Sequence, residues 1–337
     1  MTPFFSIGVT TYDREEMLKE ALGSILDQTF SDYEVIVSND NPERKISGQS
    51  VGICDPRFKF VNQSTNLGEF SNLNYLWQVS TGKYITWIND DDLYLPEFLE
   101  SAYQVLLKYS LPKCLFTFWA SFKDELPKLD KQARKNQDEL FTGPEFFYRY
   151  CKGKAETLSH MGLFDRNTIQ AMGGLEDISG DGKGMLFEEM LLARSIAFDK
   201  IAYINKPLAL KRLHEGSWEY TNTDLGMYRR AADNLSRQCI EIFKSPGLKN
   251  YFYTYLYYIL NQSIDSNLGV MLRQGDKSVK KIIAYFIYAR RYINSLKASR
   301  LYLIGLIVLI HVEINIILCF MGRMIGKRLN KIYEYYN

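Results

Sequence analysis

Short apolar runs alternate with stretches of helical periodicity through the first 120 residues of the chain. Apolar, β-branched segments predict four strands, at residues 4–9, 33–38, 58–61 and 84–88. Apolar residues recur at helical spacing after the first, third and fourth of these strands, which predicts helices at residues 14–28, after Gly68 and at 96–107. Strands that alternate with helices in this way are typical of a mostly parallel α/β sheet.

The rest of the chain has a different pattern. Residues 121–142 are polar and rich in Lys and Asp, which predicts a long loop or lid. Residues 186–198 have helical periodicity. Beyond residue 217 the sequence is Tyr-rich and helical in period, with no convincing alternation of strands and helices, so we expect a separate helical region there.

Polar clusters follow three of the predicted strands, at residues 11–13, 39–41 and 89–92. Ligands of open α/β sheets bind beyond the carboxyl ends of the strands, so these clusters are expected to line one rim of a binding site. Solvated turn residues would account for any one cluster, but they account less well for all three together.

Asp90, Asp91 and Asp92 are the sharpest local signal in the sequence. Adjacent carboxylates repel one another, and a hard cation with oxygen ligands relieves that repulsion. Mg²⁺ or Mn²⁺ held by one or two carboxylates completes its coordination with water and substrate phosphates. The pattern therefore favours a metal site over the alternative, a capping cluster ahead of the next helix.

Two further groups of residues are chemically suggestive. Glu188 and Glu189 lie near the start of a predicted helix, where paired acids more often complement the helix dipole than catalyse a reaction. Arg212, His214 and Ser217 are suited to contact a diphosphate through charge-assisted hydrogen bonds. The motifs G-x-G-x-x-G, Walker A, H-E-x-x-H and G-x-S-x-G are absent, which disfavours dehydrogenase, ATPase, metalloprotease and hydrolase activities.

Charge and cysteine content narrow the class of protein. The net charge of the 337 residues is +2, which argues against a nucleic-acid-binding protein. Residues 270–337 carry twelve Lys and Arg against three acidic residues, so a basic tail follows an acidic body. The five cysteines have no metal-ligand spacing and the first residues do not resemble a signal peptide, so we expect reduced thiols and a cytoplasmic protein.

Residues 280–328 are both basic and apolar, and we expect them to associate with a membrane surface. The apolar stretch 301–321 is long enough to span a bilayer, but Glu313 near its centre favours a helix that lies at the interface or is buried. Spanning, lying on and avoiding the membrane all remain open. An ordinary helical subdomain or an oligomer contact is the alternative.

Motifs spread in order over residues 4–217 resemble the inverting glycosyltransferases of family 2, of the type that builds bacterial polysaccharides. The opening strand and turn at residues 5–14 and the segment 20–40 are similar to the start of that family. Shorter matches follow for N-x-G, G-(K/E)-Y, D-x-D-D, G-G-(F/L), E-D-x-x-L-x-x-R and R-x-H, at residues 66–68, 82–84, 89–92, 173–175, 188–194 and 212–214.

This resemblance implies the GT-A fold, an α/β fold with a Rossmann-like, mostly parallel central sheet flanked by helices, and a helical C-terminal extension. It implies a catalytic domain at residues 1–217, with a nucleotide-binding half at 1–95 and an acceptor half at 96–217, before a helical region at 218–337. The implied activity is metal-dependent transfer of a sugar, with inversion, from a nucleoside-diphosphate donor, with a UDP-sugar favoured. The acceptor would be a glycan or lipid-linked saccharide in O-antigen or capsule synthesis, at the inner face of the plasma membrane; oligomeric state stays open.

The resemblance also implies roles for single residues. The nucleotide would contact Thr11, Tyr12, Asp13, Asp40, Asp90 and Arg212. The residues implied to bind Mn²⁺ or Mg²⁺ are Asp91, Asp90 and His214. Glu188 would be the general base that deprotonates the acceptor hydroxyl, with Glu189 as the alternative because the family motif can be matched in two registers.

Two positions depart from the family pattern. Asn89 stands where the family has the first Asp of its D-x-D, and Leu73 stands where it often has an Arg that contacts the diphosphate. These departures motivate an alternative, a catalytically degenerate domain that binds nucleotide-sugar or glycan without turnover. A sugar-nucleotide pyrophosphorylase is disfavoured because its glycine-rich N-terminal phosphate loop is absent.

Overall fold

The computed structural model describes residues 2–127, 138–158, 161–217, 221 and 224–273. The chain divides into two compact units, Met1–Glu215 and Gly216–Asn337. Each unit is described separately.

The first unit contains nine strands and seven α-helices within its described residues. The strands are β1 Phe5–Thr11, β2 Tyr33–Asn39, β3 Phe58–Asn62, β4 Tyr84–Asn89, β5 Leu93–Tyr94, β6 Cys114–Phe122, β7 Asp138–Phe141, β8 Leu163–Asp165 and β9 Ile201–Arg212. The helices are α1 Glu15–Leu26, α2 Gly48–Val51, α3 Glu69–Val79, α4 Phe98–Lys108, α5 Gly143–Cys151, α6 Arg166–Ala171 and α7 Phe187–Arg194.

These strands form one sheet in the order β3-β2-β1-β4-β8-β6-β9-β5, and β7 pairs with β9. The long pairings β1–β2, β1–β4, β2–β3 and β6–β9 are parallel. The short pairings β4–β8, β6–β8, β5–β9 and β7–β9 are antiparallel. The sheet is therefore mixed but mostly parallel, which confirms the α/β fold class expected from the sequence.

Both faces of the parallel half are buried, as the continuous apolar runs of its strands require. Every residue of β1 and β2 is buried. On one face the apolar sides of α1 and α4 join a core that includes Phe5, Tyr84 and Phe98. On the other face α3 packs so closely on β1 that a Cβ at Gly8 would lie 3.0 Å from Leu76.

The four predicted strands are confirmed, and each continues one or two residues further than the apolar pattern indicated. Thr11 pairs with Asn39, and Thr10 pairs with Asn89, so the polar residues expected after the strands are their last paired residues. Regular hydrogen bonding thus fixes the backbone up to the edge where the polar clusters lie.

The expectation of a continuous loop at residues 121–142 is wrong at both ends of that range. Strand β6 continues through Phe122, and β7 occupies Asp138–Phe141. Both strands pair with β9, a strand that the pattern did not predict because Pro207 interrupts its apolar run. The β6–β9 pairing shifts register beside that proline, which accommodates its missing N–H donor.

The amino ends of the strands are held by a network around Glu34. The buried Glu34 carboxylate accepts hydrogen bonds of 2.7 Å from Ser6 Oγ, from both the N–H and Oγ1 of Thr81, and from Lys59 Nζ. Ser6 Oγ accepts in turn from the N–H of Gly82, where a Cβ would lie 2.6 Å from the Ser6 nitrogen. Burial alone would raise the pKa of Glu34, but the bonds from Lys59, Ser6 and Thr81 outweigh it and lower the pKa to about 2.

The second unit is helical where it is described. Helix α8, Leu225–Phe243, begins with a cap from Asp224 and packs against α9, Phe252–Arg273. The apolar face of α8 that includes Leu235, Cys239 and Phe243 is buried. Segments 280–328 and 301–321 lie outside the described residues, and no helix within the described ranges is long and apolar enough to cross a membrane.

Candidate active site

A tight turn after β1 brings several polar groups toward the end of β4. Thr11 is the last residue of β1, and Asp13 adopts a left-handed conformation with φ 58° before α1 begins at Glu15. Asn and Asp tolerate this conformation better than most residues. The turn allows the Tyr12 N–H and the Arg14 side chain to reach back to the acidic residues that follow β4.

Asp90 is the buried centre of this cluster. Its carboxylate accepts hydrogen bonds from Thr11 Oγ1 at 2.7 Å, from the Tyr12 N–H at 3.4 Å and from Arg14 Nη1 at 3.2 Å. Burial raises the pKa of Asp90 to about 6, and the charge of Asp91 adds to that rise, although the Thr11 hydrogen bond and Arg14 oppose it. The site therefore holds a negative charge that its own donors do not fully stabilise.

Asp91 connects the two sides of the site. Arg14 Nη1 donates to its Oδ2 at 3.0 Å, and His214 Nε2 lies 2.9 Å from the same oxygen. The two contacts come from opposite ends of the domain sequence, because Arg14 follows β1 and His214 follows β9. Both meet at one carboxylate oxygen, so Asp91 joins the turn after β1 to the segment after β9.

Arg212 fixes the approach of β9 to this turn. Its N–H donates to Asp92 Oδ1 at 2.9 Å and its Nε donates to the Asp91 carbonyl oxygen at 2.9 Å. Its guanidinium also bonds to Glu20 and lies over the ring of Phe122. Arg212 thus joins the strand end to the acidic turn and delivers His214 two residues later; its role in nucleotide binding stays a prediction.

Asp40 organises a second loop beside the cluster. Its carboxylate accepts hydrogen bonds of 2.8 Å from the N–H groups of Leu67 and Gly68, and burial raises its pKa. Gly68 has φ 81°, a conformation that favours glycine. This explains the N-x-G spacing physically, because the loop turns so that two backbone donors face Asp40. Contact between Asp40 and the nucleotide base stays a prediction.

A shallow cleft lies between the turn after β1 and the loop after β2. Its lining includes Thr11, Asp13, Arg14, Asn39, Asn41 and Arg44. Arg44 pairs with Asp13 at 3.0 Å and with Glu15 at 2.6 Å, so it bridges the turn and the start of α1. The cleft adjoins Asp90 and Asp91 through Arg14, and it offers both charged and amide groups to a polar ligand.

The predicted base residues lie on the first turn of α7. Glu188 and Glu189 are half-buried, and the helix follows Leu186, which has φ 61°. Upstream, the Asn74 side chain forms paired hydrogen bonds with the backbone of Leu175, at 3.0 Å to its N–H and 3.3 Å to its carbonyl oxygen. Gly184 has no room for a side chain, because a Cβ would lie 2.3 Å from Phe70.

Arg194 at the end of α7 pairs with Glu176, which ties this helix to the loop before it. Leu175 and Glu176 are adjacent, so Asn74 on α3 and Arg194 on α7 hold the same end of this loop. Whether Glu188 or Glu189 acts as base stays open.

The residues that resemble a metal site form an incomplete donor set. No group of three or more His, Cys, Asp or Glu side chains in the described parts of the chain is arranged to hold a metal ion by itself. Asp90, Asp91 and His214 nevertheless supply carboxylate and imidazole donors around one point, where Arg14 already neutralises charge. Two carboxylates are the protein ligands that Mg²⁺ usually has when phosphate oxygens and water complete its coordination, so the metal site at Asp90 and Asp91 stays a prediction.

Arg14 is a site residue that was not predicted from the sequence, although it is the last residue of the matched opening motif. Glu20 had no predicted role and Asp92 was predicted only as part of the acidic cluster, and the structure connects both to Arg212. A basic residue placed directly after a strand-end turn was the available signal for Arg14. Glu20 gave none, because its partner lies 192 residues away in sequence.

Residues 6–164 match the family model described as Glycosyl transferase family 2. An uncharacterized glycosyltransferase of Methanocaldococcus jannaschii is 28% identical over 151 residues, which cover 44% of this chain and 52% of the relative. A Campylobacter jejuni protein, GalNAc(5)-diNAcBac-PP-undecaprenol beta-1,3-glucosyltransferase, is 35% identical over 109 residues, 32% of this chain and 34% of the relative. The chain thus spans about half or less of the length of these curated relatives.

Among solved structures, residues 1–349 of S. aureus TarS in complex with UDP-GlcNAc have a TM-score of 0.65 to this chain. The superposition covers 88% of this chain and 82% of the other at 16% identity, so it bears on the fold alone. The chain contains a glycosyltransferase family 2 domain at residues 6–164. The family resemblance and the GT-A fold expected from the sequence are confirmed.

Proposed function

We propose that the protein transfers a sugar, with inversion, from a UDP-sugar to a glycan or lipid-linked saccharide during synthesis of a bacterial surface polysaccharide. The observation that carries this proposal is a cluster beside a polar cleft, in which Arg14, Asp90 and Asp91 of the family 2 domain meet His214. The C. jejuni relative, whose name specifies an undecaprenol-linked acceptor, supports the acceptor class. TarS, crystallised with UDP-GlcNAc, supports the donor class.

The residues of this chain divide the reaction among them. Thr11, Tyr12, Asp13 and Asp40 line the nucleotide, and Arg212 holds the acidic turn in register with β9. The Asp90, Asp91 and His214 side chains are the ones that would hold Mn²⁺ or Mg²⁺ together with the donor diphosphate. When bound, this cation supplies positive charge that stabilises the departing nucleoside diphosphate.

Glu188 takes the proton from the acceptor hydroxyl as that oxygen attacks the anomeric carbon. The attack comes from the face opposite the leaving group, so one displacement inverts the anomeric centre. A glutamate on the first turn of α7 is ionised at neutral pH when its pKa is ordinary, as a base requires. Glu189, one residue further along the same turn, is the alternative base.

A catalytically degenerate domain is the second candidate, and Leu73 and Asn89 are the observations in its favour. Leu73 is fully buried on α3, so no cationic group at this position reaches a diphosphate. Under this alternative the domain binds nucleotide-sugar or glycan without turnover. The enzyme is favoured because Asp91, Glu188 and His214, the residues to which the resemblance gives catalytic or metal-binding roles, are all retained.

Location and assembly are part of the proposal. We place the enzyme in the cytoplasm, peripheral on the inner face of the plasma membrane, through the basic segment 280–328. That segment would bring the active site to a lipid-linked acceptor. Homo-oligomerisation is compatible with this arrangement and is not required by it.

The test begins with thermal shift measurements against UDP, GDP, dTDP and CMP, each with and without Mn²⁺. Stabilisation by UDP that requires Mn²⁺ supports the donor class and the metal. UDP release from UDP-sugars in the presence of acceptor lipids then separates the candidates. Turnover that is lost in Glu188→Gln, with UDP binding retained, supports the enzyme, whereas binding without turnover in the wild-type protein supports the degenerate domain.

A further inference from the structure

Arg14 makes an unusual pair of contacts. A single nitrogen, Nη1, lies 3.2 Å from Asp90 Oδ1 and 3.0 Å from Asp91 Oδ2. His214 Nε2 shares that Asp91 oxygen at 2.9 Å. The guanidinium therefore occupies the region between the two carboxylates, which is where a divalent cation bound to both would also lie.

Burial differs sharply within this group. The Asp90 and Asp91 side chains are 5% and 10% exposed, whereas the Arg14 side chain is 31% exposed. The two carboxylates directly follow β4 of the central sheet, whereas Arg14 precedes α1 and lines the cleft. Arg14 is the most exposed of the four residues in this group.

Arg212, at the same edge of the sheet, has contacts of a different kind. Its side chain is 13% exposed, it donates to a backbone carbonyl and to Glu20, and it lies over Phe122. Moving it would break contacts with three different elements. Arg14 instead bridges two carboxylates, which are the groups that a divalent cation binds.

We propose that Arg14 is a resident counter-ion of the Asp90–Asp91 pair, that a divalent cation displaces it, and that the displaced guanidinium then binds the donor diphosphate. Arg14 lines the cleft, so its guanidinium remains beside a bound diphosphate after it leaves the carboxylates. A planar guanidinium pairs well with phosphate oxygens. The diphosphate in this inference rests on the proposed function; the competition with a cation does not.

The inference predicts opposite effects of one substitution on two ligands. Without nucleotide, Arg14→Gln should tighten Mn²⁺ binding about fivefold or more, because the cation no longer competes with a guanidinium for the carboxylates. With saturating Mn²⁺, the same variant should weaken UDP binding about tenfold, because a charge-assisted contact to phosphate is lost. An arginine that only supports the fold would weaken both.

Two further variants complete the experiment on the full-length protein. Arg14→Lys keeps the charge but loses the planar fork, so its Mn²⁺ affinity should stay near that of the wild type and its UDP affinity should fall. Arg44→Gln removes the same charge from the same cleft, but Arg44 pairs with Asp13 and Glu15 rather than with Asp90 or Asp91. It should therefore leave Mn²⁺ affinity within about twofold of the wild-type value.

Mn²⁺ binding is measured by the electron paramagnetic resonance signal of free Mn²⁺, and UDP binding by calorimetry. Tighter Mn²⁺ binding in Arg14→Gln, with no such change in Arg44→Gln, supports the displacement. Equal or weaker Mn²⁺ binding in Arg14→Gln, an equal gain in Arg44→Gln, or no Mn²⁺ binding by any of the proteins overturns it. If no protein binds UDP, the proposed function fails and so does the diphosphate contact, while the Mn²⁺ comparison still decides the displacement.

Discussion

Two buried carboxyl groups at opposite ends of the same sheet have pKa values that are shifted in opposite directions. Glu34, at the amino ends of the strands, accepts from two hydroxyls, an amide and Lys59, and its pKa falls to about 2. Asp90, at the carboxyl end of β4, accepts from Thr11, Tyr12 and Arg14, yet its pKa rises to about 6. Burial raises the pKa of both carboxyls, but it acts more strongly on Asp90, which is the more deeply buried group, whereas the donors around Glu34 outweigh it.

The comparison separates a structural site from a functional one. At the amino end each Glu34 oxygen is satisfied and a lysine compensates its charge, which stabilises the folded state. At the carboxyl end Asp91 adds a second negative charge beside Asp90, and one arginine nitrogen serves both. A ligand can stabilise a negative charge that the protein itself stabilises incompletely. Residues with shifted pKa values therefore cluster where binding or catalysis takes place.

The largest expected effect is on activity, from a substitution at the carboxyl ends of the strands. Asp91→Asn should reduce the rate of sugar transfer by about 10²–10³, because a preorganised charge at the leaving group is lost. The melting temperature should change little, since the substitution removes a buried negative charge and keeps the side-chain shape. UDP release from the UDP-sugar and a thermal melt measure the two quantities.

Asp55→Asn is the matched control, because Asp55 pairs with Arg57 away from the cleft. It should keep full activity. Equal activity of Asp91→Asn and the wild type would contradict the assignment of the carboxyl end as the functional one.

The next largest effect is expected from a substitution at the amino ends of the strands, where it should change stability and leave activity unchanged. Glu34→Gln should lower the free energy of unfolding by about 1–3 kcal/mol, because it removes the charge that Lys59 and the hydroxyls stabilise. UDP affinity should stay at the wild-type value. Urea unfolding measures the stability and calorimetry measures the UDP affinity. Glu139→Gln is the control, because Glu139 is more exposed. A loss of UDP affinity at unchanged stability would contradict the structural role of Glu34.

Sequence patterns predicted the parallel half of the sheet and the acidic turn after β4 correctly. Local signals sufficed there, because each strand is a continuous apolar run and each polar cluster follows a strand directly. Strand β9 was missed because Pro207 interrupts it, and its pairing partners β6 and β7 depend on contacts distant in sequence. The network around Glu34 was missed for the same reason, since its members come from four separate segments.

The candidate site shows the same limit. The family resemblance pointed to Asp90, Asp91 and His214 by number, and the structure brings these three together. The contacts of Arg14 depend on the left-handed turn at Asp13, which no propensity favours strongly enough to predict. The direction of the side chains in such a turn follows from its backbone geometry, which is known only from the folded structure.

A change of pH should sharpen the comparison further. The pKa of Glu34 is lowered from 4.5 to about 2 in the folded state, so its contribution to stability is present above pH 4.5 and is lost as pH falls toward 2. The stability difference between the wild type and Glu34→Gln should therefore be constant near neutral pH and narrow across that acidic range. Urea unfolding at a series of pH values measures it; a difference that persists at pH 2 would contradict the assignment.

The smallest effect is expected from Asp90→Asn, and it should have the opposite character to Glu34→Gln. The amide carries no charge that burial penalises, its oxygen still accepts from Thr11, and Arg14 keeps its contact with Asp91. The free energy of unfolding should change by less than about 1 kcal/mol, in either direction, because the lost ion pair and the relieved desolvation nearly cancel. Urea unfolding of the two variants side by side makes the test: a loss for Asp90→Asn as large as that for Glu34→Gln would mean that the carboxyl ends of the strands, like the amino ends, are built for stability.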